Sequence, residues 1–195
     1  MTDSERPPGR AGLGMRDMVG AMIVLLVIVG VVAAVTRGCS FDPGGPATDR
    51  DAAPTVDVSA KLREASSSVS FPVRRPVVPS SWHANSSSTS GIGTGSAANV
   101  VVRVGWLTPA GRYVQVSQSG GNVADVLAEE TWSEPVRTGS VTVSAMSWAT
   151  YPSRRDEVAW AAELDGVVVA ITGNGTEQEF RQAADAVVDA KPLAK

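Results

Sequence analysis

Residues 158–172 read VAWAAELDGVVVAIT. Two runs rich in apolar residues, Val158 to Leu164 and Val167 to Thr172, flank Asp165-Gly166. That dipeptide is the strongest short hairpin signal in the sequence, because the favoured two-residue turn needs positive φ at both central positions. The second run is almost continuously apolar, which places the pair at the centre of a sheet. Gly173-Asn174-Gly175 ends the strand, and Thr176 with Glu179 three residues on makes a capping box for a terminal helix. Phe180, Ala183, Ala184, Val187 and Val188 fall at helical spacing and give that helix a face to pack on the sheet.

Upstream, Val100 to Leu107 and Arg112 to Ser117 are strand-like segments joined by the turn Pro109-Ala110-Gly111, a second hairpin. After Gly120-Gly121, Asn122 is placed to cap a short helix with Val123, Val126 and Leu127 facing inward, and Asp125 sits in its first turn. Glu134 to Arg137 and Val141 to Tyr151 read as another strand pair about Thr138-Gly139, and Ser153 to Glu157 as a polar turn. Nearer the N-terminus, Val58, Leu62, Ala65 and Val69 form one apolar stripe of a helix. Phe71-Pro72-Val73 and Pro76 to Pro79 then make an extended, packed connection to Trp82. Trp82 to Ser90 suits an edge strand and Gly91 to Gly95 a flexible loop.

The whole is organised by the segment from Met18 to Val35, eighteen residues without a charge. At about 1.5 Å per helical residue it covers roughly 27 Å, close to the hydrocarbon thickness of a bilayer. The expected layout is a disordered cytoplasmic tail at 1–17, a transmembrane helix at 18–36, a Pro/Gly-rich linker at 37–54 and an extracytoplasmic domain at 55–195. The fold class expected is α+β, with the transmembrane helix followed by an antiparallel sheet that carries helices on one side.

Charge counting supports that orientation. Arg6, Arg10 and Arg16 precede the span, and only Arg37 and Arg50 follow within twenty residues, so the N-terminus is expected inside. An eighteen-residue apolar region is longer than the usual core of a cleaved signal peptide, which favours a retained anchor. The net charge is -3, and the acidic excess belongs to the domain beyond the span. No basic stripe stands out there, so nucleic acid is not an expected partner. The 14 Arg against 3 Lys, with abundant Ala, Val and Gly, suggest a GC-rich bacterial genome. Cys39 is the only cysteine, so the domain holds no internal disulfide; a free thiol, pairing with a second copy and lipidation all stay open for it.

Several stretches together resemble an actinobacterial family of single-pass membrane proteins, the domain of unknown function 4245. They are Gly14-Met15-Arg16-Asp17-Met18, Phe71-Pro72-Val73, Trp82, and the run from Val104 to Tyr113, which is similar to the family's Gly-aromatic-x-Thr-Pro-x-Gly-x-Tyr hairpin. Ser81 stands before Trp82 where the pattern has Gly, and the Ser-rich run 86–90 also departs from it. The resemblance implies a membrane-anchored extracytoplasmic domain and carries over no catalytic residue. The order of elements is also similar to that of Mog1/PsbP-type domains, an analogy that fixes no function.

Chemistry is sparse. His83 is the only histidine, so no zinc cluster of His and Cys is expected and no cofactor is implied. A Ser-His-Asp arrangement would need His83 beside Ser80, Ser81 or Ser86 to Ser88, with no G-x-S-x-G elbow. Gly91-x-Gly93-x-Gly95 does not open a helix as a phosphate loop would. The adjacent pairs Glu129-Glu130 and Asp156-Glu157 read as solvated charge. Asn85-Ser86-Ser87 and Asn174-Gly175-Thr176 match the glycosylation sequon, of little weight in a bacterial chain.

The five tryptophans are the most informative side chains. Trp106, Trp148 and Trp160 are expected in the core, whereas Trp132 stands among Glu129, Glu130 and Glu134 and is expected at the surface. Trp132, with Arg154 and Arg155, is the candidate partner contact. The leading expectation is a non-enzymatic binding or accessory module of the cell envelope, with an unknown envelope protein or component as partner. The alternative is an envelope-acting enzyme whose cleft is not visible in sequence.

Overall fold

The computed structural model describes residues 15–36, 55–93 and 99–194. The chain divides into two units at Ala47 and Thr48. The first contains helix α1 (Met15–Thr36). Its backbone turns helical at Met15, so residues 15–17, expected in the tail, belong to the helix. Among the described residues no helix is long and apolar enough to cross a membrane, so the span expected over 18–36 finds no support there. The expected linker, with Cys39 and the features weighed for it, lies outside the described residues, as does the tail before residue 15.

The second unit contains helix α2 (Val58–Ser68), strands β1 (His83–Ile92), β2 (Asn99–Leu107) and β3 (Tyr113–Ser119), helix α3 (Val123–Thr131), strands β4 (Gly139–Val143), β5 (Met146–Pro152), β6 (Val158–Leu164) and β7 (Val167–Gly173), and helix α4 (Glu177–Asp189). The strands form one antiparallel sheet in the order β1-β2-β3-β7-β6-β5-β4, with β7 in the middle. The β6–β7 turn has φ 51° at Asp165 and 76° at Gly166, the positive pair that the hairpin signal required.

Helices cover both faces of this sheet, which corrects the expectation of helices on one side. On one face α2 and α4 enclose Leu62, Val104, Trp106, Val116, Trp148, Trp160, Val169, Ile171 and Phe180. On the other, Val126 and Leu127 of α3 cover Ile92, Val101, Ala159, Ala161, Val168 and Ala170. The physical reason lies in β7, where successive residues point to opposite faces and all from Val167 to Ile171 are apolar, so both faces need cover.

Two further expectations change. The second hairpin of the C-terminal half turns at Ser144-Ala145, with φ 47° and 60°, and 134–138 is not a strand. Turning there sets Val141 opposite Trp148 and sends both toward the α4 core. Gly91 and Ile92, expected in a loop, complete β1, because Ile92 is buried beneath the α3 face.

The connector between α2 and β1 is held by one side chain of β3. Gln118, fully buried, accepts from the Arg74 backbone N–H at 2.8 Å and donates to its carbonyl at 2.9 Å. The Arg74 guanidinium, itself buried, donates to the Ala190 carbonyl and pairs with Asp165.

The expected caps form as read. Asn122 accepts from Asp125 N–H at 2.8 Å, and Thr176 and Glu179 close the capping box of α4. Phe180 meets Trp160 edge to face at 5.4 Å, a geometry worth about 0.5–1.5 kcal/mol beyond area. Desolvation pushes the Glu179 carboxyl up, but the Thr176 N–H, the Thr108 and Thr176 hydroxyls and Arg112 outweigh it and hold it below the ordinary glutamate range. A depressed folded value means stability present at neutral pH and lost as pH falls through it. The melting temperature of Glu179→Gln should therefore sit below the native one at pH 7 and converge on it in acid; a constant gap across pH would contradict the assignment.

Candidate functional site

Strand alternation puts Ser86, Ser88 and Ser90 of β1, Arg103 and Gly105 of β2, and Gln115 and Ser117 of β3 on the α3 face, in matched register. The middle of that face is apolar and lies under α3. Beyond the end of α3 it is polar, and the polar groups are joined in one string.

Glu130 anchors the string. One carboxylate oxygen accepts from Arg103 Nε at 2.6 Å and the other from Gln115 Nε2 at 2.7 Å. Arg103 also donates to Ser90 Oγ at 2.6 Å and lies 3.6 Å from Glu129. Gln115 Nε2 donates to Ser117 Oγ at 3.1 Å, so its Oε1 is left to accept from the Tyr113 hydroxyl at 3.0 Å. Tyr113 in turn lies 2.8 Å from Ser86 Oγ. With Tyr113 donating to Gln115, Ser86 must donate to Tyr113, and the string runs one way toward the Glu130 carboxylate.

Gly105 is what allows Tyr113 to lie there. A Cβ at this position would overlap the Tyr113 ring and hydroxyl and come within 2.5 Å of Ser86 Oγ. The first and last residues of the Gly-aromatic-x-Thr-Pro-x-Gly-x-Tyr stretch thus touch diagonally across the hairpin, the Tyr113 ring lying over Gly105, while Trp106 turns into the core.

Burial raises the Tyr113 phenol above its ordinary value, and the Glu130 charge adds to this against the opposing Ser86 bond and Arg103 charge. Since the folded value is raised, the stability it brings is complete below the ordinary tyrosine range and is lost as pH rises through the folded value. Absorbance titration should show a late phenol, and Tyr113→Phe should remove it. A single unshifted transition would contradict the buried position.

The string floors an open cleft of about 390 Å³ lined by Tyr113, Gln115, Glu130, Arg154, Arg155, Glu157 and Asn174 among others. An adjoining hollow of about 280 Å³ shares Gln115, Glu130 and Arg154 and reaches Trp132. Trp132 terminates α3 in the left-handed conformation, φ 56°, and is 76% exposed. The Arg154 guanidinium lies 4.5 Å from the Trp132 ring centroid. Of the three residues singled out from sequence, Arg154 links the other two: it stacks on Trp132 at the hollow and lines the cleft together with Arg155.

Four residues of the site were not legible beforehand: Arg103, Tyr113, Gln115 and Glu130. Glu130 is 7% exposed, so the reading of Glu129-Glu130 as solvated charge holds only for Glu129. The available signal was Arg103, the one charge in the apolar run from Val100 to Leu107, which a strand accommodates only with a partner.

Elsewhere the chemistry stays thin. His83 Nε2 lies 3.3 Å from Thr55 Oγ1, and no carboxylate bonds to its ring among the described residues. Among those residues no group of three or more His, Cys, Asp or Glu is arranged to hold a metal ion. Gly93 has φ 73°, and the glycine-rich stretch beyond it lies outside the described residues. Asn174 spends its carbonyl on the Tyr113 N–H at 2.6 Å.

Fold and cleft together define an α+β domain of one antiparallel sheet, covered on both faces, with an aromatic and cationic rim over a polar floor. The chain belongs to the family described as protein of unknown function (DUF4245), which matches residues 10–187. No curated protein and no solved structure matches it.

Proposed function

We propose that this chain is a membrane-tethered, extracytoplasmic binding module of the cell envelope of an actinobacterium, with its contact surface on the Trp132–Arg154–Arg155 rim. The observation that carries the reading is Trp132, 76% exposed, held in a left-handed turn and stacked by Arg154. A large aromatic left in water beside a guanidinium is the pairing found where recognition energy concentrates. Its left-handed backbone costs about 1–3 kcal/mol, strain that recurs at functional surfaces.

Tethering is supported by α1, whose Ile23, Leu25, Leu26 and Ile28 are each more than half exposed. Apolar side chains on that scale call for a lipid or protein cover. The anchor is then residues 18–36, with the N-terminus cytoplasmic. A binding role fits the floor better than catalysis: Glu130 is 7% exposed and spends one oxygen on Arg103 and the other on Gln115, the arrangement of a side chain that fixes the floor in place. The partner is an envelope protein or component, and neither a cofactor nor nucleic acid is part of the proposal.

Topology is testable through Cys39. In intact cells an impermeant maleimide should label it without lysis or reductant; labelling that requires lysis, with no reductant added, would contradict the orientation. For the contact, Trp132→Ala with Arg154→Ala should leave folding intact and abolish recovery of the partner captured by the native chain from crosslinked membranes. Unchanged recovery would remove the rim from the account.

A further inference from the structure

The two edges of the sheet are protected very differently. At one end β4 is five residues long, and Arg181 of α4 reaches over to donate to the Thr142 carbonyl at 3.0 Å. At the other, β1 runs ten residues, HANSSSTSGI, with no Pro, Lys, Arg, Asp or Glu. Among the described residues the backbone bond to its outer edge is at its beginning, where Val56 N–H donates to the Ala84 carbonyl at 3.1 Å, next to a single bulge between Ala84 and Ser86, and Ile92 at its end is buried under α3. From Ser88 to Gly91 the strand is exposed. A long uncharged edge is what soluble proteins normally remove, because its free N–H and C=O groups template another strand.

We propose that β1 pairs antiparallel with β1 of a second copy, about a two-fold axis, to make one sheet continuous across a dimer. Two features select a second copy over a charged peptide. The Ser/Thr run from Ser86 to Ser90 opposes itself without placing like charges together, and Ser and Thr side chains bond across such a pair. Alongside it, Lys61 and Glu64 of α2 line a groove of about 240 Å³ with Ser87 and Thr89. They are exposed and 3.0 Å apart. Within one chain the two form an ion pair; a two-fold axis at this edge brings the α2 helices of both copies to the same side of the seam, so each copy sets a paired cation and anion beside the other's instead of a single sign of charge. One positive and one negative charge offset along an element are self-complementary under two-fold symmetry.

The test uses the full chain in mild detergent with Cys39→Ser. Single cysteines at Ser87, Ser88, Thr89 and Ser90 are oxidised, with exposed Val77→Cys as the control. At least one edge position should give a disulfide dimer well above the control, and sedimentation should show a dimer whose dissociation constant rises about tenfold or more in Thr89→Lys. Circular dichroism of Thr89→Lys should match the native chain. A monomer at all concentrations would overturn the proposal, as would a dimer insensitive to Thr89→Lys and without edge crosslinks, which would place the contact on another surface such as α1.

Discussion

Gly173→Ala is expected to be among the most destabilising single-methyl additions in the domain. Gly173 closes β7 opposite Val114 with φ 121°, and a Cβ there would overlap the Tyr113 carbonyl oxygen, with the carbonyl carbon 3.0 Å away. The backbone costs about 1–3 kcal/mol for a residue that is not glycine, and the clash adds a similar amount, about 1–3 kcal/mol. Both partners are main chain, so no side-chain rotation relieves the overlap. The strain falls at the junction of β3 and β7 under the cleft. Gly166→Ala is the matched control: φ is also positive, 76°, but nothing among the described residues lies within 4 Å, so only the left-handed penalty of about 1–2 kcal/mol applies. Urea unfolding followed by circular dichroism should rank native above Gly166→Ala above Gly173→Ala. Equal losses at the two sites would show that the approach to Tyr113 is not close.

Trp148→Ala is expected to cost about 3–5 kcal/mol, the range for emptying a large aromatic site. Trp148 is wholly buried on β5, opposite Val141, in the cluster that α2 and α4 enclose. Among the described residues its indole Nε1 has no hydrogen-bond partner. An unpaired buried donor carries a desolvation cost of about 1–3 kcal/mol that an apolar ring does not. Trp148→Phe should therefore retain most of the stability that Trp148→Ala loses. If the two variants were equally damaging, the indole nitrogen would have to be engaged in a bond essential to the core.

What was legible in the sequence was local. Asp165-Gly166, Asn122 and the Thr176-x-x-Glu179 box each satisfy backbone groups within a few residues, so their chemistry identifies them directly. The turn at Ser144-Ala145 was not legible because neither residue signals positive φ. The pairing of Val141 with Trp148 imposes it instead. Helices on both faces were implicit in the unbroken apolar run of β7, but that run does not say which helix takes which face.

The candidate site divides along the same line. Trp132, Arg154 and Arg155 were visible because an aromatic among glutamates and a basic turn are surface chemistry. Their 4.5 Å stacking joins two elements distant in sequence. The floor was hidden for the same reason: Arg103 meets Glu130 across 27 residues, and Tyr113 meets Ser86 across the same separation. Adjacent glutamates look alike in sequence, and only the side of α3 they occupy separates the exposed Glu129 from the buried Glu130.

The central claim is that the Trp132–Arg154 rim is a contact surface. Its most direct test is photo-crosslinking in intact cells from a benzophenone amino acid placed at position 132, with the same residue at position 77 as the control, since Val77 is 77% exposed but lies away from the cleft lining. The account predicts a discrete crosslinked species from position 132 that is absent from position 77 and lost in Arg154→Ala. The same products from both positions, or none from position 132, would contradict it.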